Sequence, residues 1–306
     1  MALLLTACSA EKIVERLRFG VAAEGGVYHE FGTLYAALEN ETSNGTIEVR
    51  TTAGSAANLR LLMGDYLQLG IAQADLAQDA SSRTGIFAGE EEEGGFSAVA
   101  ALYTEACQVV VRADSDIKSV EDLQGKIVSV GAEESGSEQN ARQILLAYGL
   151  NEKLVDMVNL NYEDAEAQLK AGRLDAMFIT AGTPSPVLTQ LAEECGIRLL
   201  KIDGNAAERL KETCSAYRTV TIPAGTYAGQ DEEVQTVGVK AVLLASDSVP
   251  KKQVQQLTEL LFTGREELEE QLGVQLDAEP DAVEGVGIPF HPGAKAYYQA
   301  QGLKIE

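Results

Sequence analysis

The sequence predicts an α/β protein of two domains, each built on a largely parallel sheet, joined by a hinge of two chain crossings. Three observations carry that expectation. The chain has 306 residues, enough for two domains of ordinary size. Short β-branched runs alternate with segments of helical period, so that the order β-α-β-α-β occurs twice. Four times, a strand ends in a small, polar, Gly-containing turn that opens a helix.

The elements follow in chain order. Leu17–Val21 reads as a strand that Gly25-Gly26 interrupts, and Tyr28–Asn40 carries helical apolar spacing through Phe31, Leu34, Tyr35 and Leu38. Ile47–Thr52 is β-rich, a helix begins near Ser55, and Leu67–Ala72 is a strand ending in the polar triplet Gln73-Ala74-Asp75. "GEEEEGG" at Gly89 to Gly95 is a solvated loop, because adjacent carboxylates repel. Val99–Tyr103 and Gln108–Arg112 are expected as two separate strands. Ser119 and Asp122 form a capping pattern ahead of the strand Ile127–Val130, and "EESGSEQN" turns into a helix stopping at Gly149. Asp156–Leu160, Asp175–Thr180 and Ile197–Ile202 are strands, separated by a helix over Tyr162–Ala171 and one with Pro in its first turn. After Cys214 the pattern changes: Thr236–Ala245 is a long apolar strand, Pro250–Gln271 one long amphipathic helix, and a short helix closes the chain. "KSVEDLQG" and "PAGTY" read as crossing points. The expected division is 17–111 with 219–306 as the first domain and 112–218 as an inserted second, with hinge residues near Arg112 and Arg218 to Thr221. Residues 1–16 are a leader remnant and linker.

Charge narrows the partners. Lys and Arg number 24 against 47 Asp and Glu, a net charge of −23, which disfavours nucleic acid and anionic lipid surfaces. Two His residues, His29 and His291, and four Cys show no zinc spacing, so no metal and no cofactor is expected. His29 is an N-terminal helix residue beside a turn, and His291 is structural. Cys107, Cys195 and Cys214 sit in apolar or helical contexts as free thiols do; spacing neither makes nor excludes a Cys195–Cys214 disulfide. No stretch is long and apolar enough to span a membrane. Leu5-Thr6-Ala7-Cys8 resembles a lipobox, which would make Cys8 a lipidation site and the lipid the protein's only tie to the membrane.

The four turns are Gly25-Gly26-Val27-Tyr28, Gly54 to Asn58, Ser135-Gly136-Ser137 and Ala181 to Pro184. Gly lets a ligand approach the backbone, and a helix N-terminus offers unsatisfied N–H groups and a positive dipole end to a carboxylate. In open α/β sheets such turns collect beyond the carboxyl ends of the strands. None matches a dinucleotide or P-loop fingerprint, "EESGSE" is not a nucleophile elbow, and the two His residues make no catalytic triad. Two turns in each expected domain suggest a cleft whose two walls each present helix N-termini, which favour a carboxylate or phosphate.

"FGVAAEGGVYHEFG", the Thr51–Ala80 stretch, "AALYTEACQVVVRADSDIKSVEDLQGKIVSVGAEESGSEQNA", "LDAMFITAGTPSPVL", "IPAGTYAG" and "IPFHPGAKAYY" together resemble the TAXI family, the solute receptors of one branch of TRAP transporters. The likeness runs in order from about Leu17 to the C-terminus. It implies a type II periplasmic-binding-protein fold that closes as a Venus flytrap. It also implies a small carboxylate ligand such as glutamate, glutamine or 2-oxoglutarate, and delivery to an ion-driven permease by a monomeric, extracytoplasmic receptor. The implied contacts are Gly26, Tyr28, Ser55, Asn58, Gln73, Asp75, Ser135, Gly136, Ser137 and Gly182, with Asp75 set to pair an α-ammonium group. The chain departs from the family at Ala22-Ala23-Glu24 and at Ala57, where Gly, Ser or Thr and Glu are common; none of the four turns holds an Arg. A sensory module feeding a kinase or chemoreceptor, and an enzyme on the same fold, are the competing readings.

Overall fold

The computed structural model describes residues 14–42, 46–90 and 94–305. Cys8 with its lipobox and Glu91 to Glu93 of the acidic loop lie outside the described residues. Glu90, from the same loop, is not simply solvated: Arg60 Nε meets its Oε1 at 2.8 Å.

The chain folds as a mixed α/β structure of two lobes sharing one curved sheet. Strands β1 (Arg16–Gly20), β2 (Thr46–Arg50) and β3 (Leu69–Gln73) pair in parallel with β1 in the middle. In the other lobe β5 (Ile127–Ser129) pairs in parallel with β6 (Asp156–Val158) and β7 (Ala176–Ala181). Two long strands, β4 (Phe96–Arg112) and β10 (Val234–Ser246), run antiparallel to each other and weld the two parallel sets together. On the outside, β8 (Ile197–Leu200) adds to β4 and β9 (Arg218–Ile222) to β10. The expectation of parallel sheets therefore holds within each lobe and fails at the junction.

The two strands expected over Val99–Tyr103 and Gln108–Arg112 are one. Thr104 and Glu105 look like a polar break in the sequence, yet Thr104 pairs with Lys240 and Glu105 with Val239. Residues of β4 up to Tyr103 pack into the first core, and those from Ala106 onward into the cores of the second lobe. On β10, Val237 and Val239 belong to the second lobe and Ala241 onward to the first. The sheet thus passes between lobes at Thr104–Glu105 and at Lys240, not at Arg112 or Arg218–Thr221, which lie at the end of β4 and inside β9. The strands run through these polar residues without a turn or linker, so nothing in the composition reads as a domain boundary there.

Helices cover the sheet. In the first lobe these are α1 (Val27–Thr42), α2 (Ser55–Met63), α3 (Ala74–Ser82), α8 (Lys251–Thr263), α9 (Arg265–Leu272) and α10 (Pro292–Ala300). The second lobe has α4 (Gly136–Ala147), α5 (Tyr162–Lys170), α6 (Pro186–Cys195) and α7 (Gly204–Thr213). The apolar period of α1 buries Phe31 and Tyr35, whose rings stack at 5.5 Å, and the Tyr35 hydroxyl donates to the Leu257 carbonyl. The single helix expected over Pro250–Gln271 is split at Gly264. A β-carbon there would lie 2.3 Å from Leu38 Cδ2, so the break lets α1 pack closely at that point. Sequence reasoning missed α3, α7 and β9. Helix α3 follows β3 without a loop, so no turn residue announces it. His291 is structural as expected: its Nδ1 accepts the Gly293 N–H and caps α10. Cys107, Cys195 and Cys214 are free thiols.

Candidate functional site

A cavity of about 330 Å³ lies between the lobes. Five helix starts converge on it. The first lobe supplies the first turns of α1 (Gly25 to Tyr28) and α2 (Gly54, Ser55), and the second supplies those of α4 (Ser135, Ser137), α5 (Asn161 to Glu163) and α6 (Ser185 to Val187). The fifth, α5, was expected as a helix but not among the cleft turns, because its turn has no Gly. Its signal was Asn161, whose Oδ1 accepts the Asp164 N–H at 2.8 Å as an ordinary N-cap.

Of the ten expected residues, six line this cavity: Gly26, Tyr28, Ser55, Gln73, Ser135 and Ser137. The Ser55 hydroxyl accepts the Gln73 N–H at 3.2 Å and also hydrogen-bonds the Tyr28 phenol. Ser135 caps α4 by accepting the Glu138 N–H at 3.1 Å. Ser137 Oγ accepts the Thr180 N–H at 2.9 Å and shares a hydrogen bond with the Tyr162 hydroxyl, which binds the end of β7 to two helix starts.

The other four stand behind the lining, each for a physical reason. Asn58 is fully buried and its Nδ2 donates to the carbonyls of Gly20, Val21 and Ile71 at 2.8–3.1 Å. Thr52 Oγ1 donates to its Oδ1, so both ends of the amide are bonded within the first lobe. Asp75 sits in the first turn of α3, not on a strand end facing the cleft, and its Oδ2 accepts from Asn140 Nδ2 of α4 at 2.8 Å. Burial pushes its carboxyl up to about 6. Gly136 faces the side chain of Gln73 so closely that a β-carbon would lie 2.2 Å from Gln73 Oε1. Gly182 packs against Tyr103 and Val274.

Asp75 and Gly136 thus belong to the contact between lobes. A second contact lies beside it. The Glu134 carbonyl accepts the N–H groups of Ala56 and Ala57 at 3.2 and 3.4 Å, and Arg60 pairs with the Glu134 carboxylate. The positive end of α2, expected to meet ligand, is capped by the opposite lobe. Glu134 reaches it from a left-handed conformation with φ 66°.

Sequence reasoning missed Glu105. It lines the cavity from the middle of β4 with a relative exposure of 4%. The Tyr28 hydroxyl donates to its Oε2 at 3.0 Å, and the Gln73 amide hydrogen-bonds it as well. Burial, the dominant cause, pushes its carboxyl up to about 8 against the opposing effect of those two bonds. Among the described lining residues none is Lys, Arg or His, whereas Glu24, Glu105 and Glu163 are acidic. His29 is outside the lining. Burial pushes the Cys107 thiol, which accepts from Thr180 Oγ1 at 3.5 Å, up to about 12, so it is no nucleophile at neutral pH. Among the described residues no group of His, Cys, Asp and Glu could hold a metal, and no helix is long and apolar enough to cross a membrane.

Two lobes on a shared mixed sheet, with a cavity at their junction walled by helix starts, define the fold of the periplasmic binding proteins. The sequence profile of the NMT1-like family matches residues 19–302, and the chain belongs to that family. Solved structures agree on the fold. The periplasmic binding protein BugD superposes with a TM-score of 0.58 at 15% identity, over 94% of this chain and 93% of that one. An ancestral arginine-binding protein bound to arginine gives 0.54 at 16%, over 85% and 99%. The alkanesulfonate-binding protein SsuA from Xanthomonas axonopodis pv. citri bound to MOPS gives 0.51 at 18%, over 94% and 84%.

Proposed function

We propose that the protein is an extracytoplasmic solute receptor that captures a small carboxylate-bearing molecule between its lobes and hands it to a TRAP-type, ion-driven permease. The observation that carries this reading is the convergence of five helix starts from both lobes on one cavity. The first-turn N–H groups of a helix have no partner inside it; those of Ala56 and Ala57 in α2 are taken by the Glu134 carbonyl, and the other four starts together can hold a carboxylate without a basic side chain. The TAXI resemblance supplies the permease class. The two structures described as holding arginine and MOPS have ligands bound on the same fold. The lobes in this reading are 14–103 with 241–305, and 106–239. Opening bends the two strand crossings and breaks the bonds of Glu134 and Asn140 to the first lobe. Lipidation at Cys8 would keep the receptor near its permease.

A melting-temperature screen over the L-amino acids, their 2-oxo acids and C3–C6 dicarboxylates tests the reading. A true ligand at 100 times its Kd should stabilise the protein by about 2.7 kcal/mol. If no member of the panel raises the melting temperature, the proposal fails.

A further inference from the structure

We propose that Glu105 is the counter-charge for an amino group of the ligand, so that the cleft selects a neutral, zwitterionic amino acid over 2-oxo acids and dicarboxylates. This rests on the cleft being a carboxylate-solute site and specifies the solute class. Three features of the cavity lead to it. Its floor holds the Glu105 carboxyl, which lines the space beside Gln73 and Tyr28. An ammonium group brings three donors and one positive charge, which answers a Glu105 carboxylate.

The second feature is that none of the described lining residues is Lys, Arg or His. The helix starts can hold one carboxylate; a second would enter a space already holding Glu24, Glu105 and Glu163 with no cation to answer it. A 2-oxo acid brings no positive charge to Glu105, and its carbonyl oxygen can take only the one proton that the carboxyl holds, where an ammonium group supplies a charge and three donors. Third, Val27, Ala181, Pro186 and Val187 form an apolar wall suited to an uncharged side chain. The role expected of Asp75 therefore falls to Glu105, a strand residue at the passage between lobes.

The assignment has a proton signature. Without a cation nearby, the Glu105 carboxyl holds its proton at pH 7. The groups that face it are Tyr28 of α1, Gln73 of β3, Tyr103 of its own strand and Tyr162 of α5, with Asp75 of α3 and Cys107 more distant. The three tyrosines are themselves pushed up by burial and remain neutral, so none supplies a positive charge. Seating an ammonium group makes Glu105 the carboxylate, and its proton leaves to solvent.

The test takes hits from the same panel into titration calorimetry at pH 7 in two buffers of different ionisation enthalpy. The expected hits are neutral L-amino acids. Replacing the amino group by an oxo group or hydrogen should weaken binding at least about 100-fold. About one proton should be released per ligand bound. Glu105→Gln, which keeps shape and fold, should lose the proton release and bring amino acid and 2-oxo acid to within about tenfold of each other. Carboxylates that bind without regard to the amino group would overturn the inference while leaving the receptor reading intact. So would an E105Q variant that binds the amino acid as wild type does, or binding without proton release. If E105Q does not fold, the wild-type panel and proton count still decide. A panel with no binder overturns both.

Discussion

At the scale of single residues, one polar side chain can serve the scaffold while looking like a ligand contact. Asn58 is the clearest instance. It stands one helical turn after Gly54 and Ser55, at the position a solute would reach if α2 faced the cleft directly. Instead it closes the carboxyl ends of β1 and β3 by donating to three carbonyls. Asn58→Ala leaves those carbonyls buried and under-satisfied, so it should lower the stability of the ligand-free protein by roughly 2–4 kcal/mol in denaturant unfolding. A variant that instead unfolds like wild type but loses ligand binding would return Asn58 to the ligand. Glu105 shows the converse. Its type and its place inside a strand give no local hint of function, and its significance comes from β4 carrying it across the gap between two cores.

At the scale of elements, the start of α4 is what the first lobe grips. Glu134 caps α2, Gly136 lies under Gln73, and Asn140 donates to Asp75, all within about a turn and a half of helix. Gly136 is the sharpest handle. It occupies the first position of α4, where Ala is the better helix former, so the helix itself gains from Gly136→Ala. The new methyl group would nevertheless sit 2.2–2.7 Å from the Gln73 amide, which must swing away. That swing costs Gln73 its bond to Glu105 and pushes the lobes apart. The expected result is unchanged or raised thermal stability without ligand, ligand affinity reduced about tenfold or more, and a larger radius of gyration by X-ray scattering with ligand. Wild-type affinity in G136A would show that the lobes need not meet there. Arg60 adds less. Its pairs with Glu134 and Glu90 are partly exposed, and such pairs contribute at most about 1 kcal/mol.

At the scale of the whole molecule, two effects make stability fall as pH rises, and they can be separated. The chain carries a net charge of −23, so self-repulsion grows above its isoelectric point. Independently, the folded state holds protons that the unfolded chain releases. The Glu105 carboxyl is raised to about 8 and that of Asp75 to about 6. A raised folded-state value means the favourable contribution is complete below the ordinary carboxylate range, near pH 4. It is lost as pH climbs through about 6 for Asp75 and about 8 for Glu105. Salt screens the first effect and leaves the second. Melting temperature of the ligand-free protein should therefore decline from pH 6 to 8 even in 0.3 M NaCl, and Glu105→Gln should flatten that decline. Parallel slopes for wild type and E105Q in high salt would remove Glu105 as the source.

Legibility in the sequence divides along the same physical line. Helix starts are local events, written in a few adjacent residues: Gly25-Gly26 before α1, Ser135 as the cap of α4, Pro186 in the first turn of α6. The alternation of β-runs with helical period likewise determined the α/β class, and the chain order of these pieces carried the family likeness. The sequence by itself therefore named four of the five helix starts and six residues of the cavity wall. Only the tertiary structure decided which side of each turn faces the cleft, because that depends on pairings such as Ala241 with Gln73 that join residues far apart in the chain. It turned Asp75 and Gly136 toward the opposite lobe, closed Asn58 onto strand ends, and ran β4 unbroken through a polar pair. A buried carboxylate in a cleft with no cation is a property of that docking, since burial and the identity of neighbours are long-range facts that no short stretch of sequence contains.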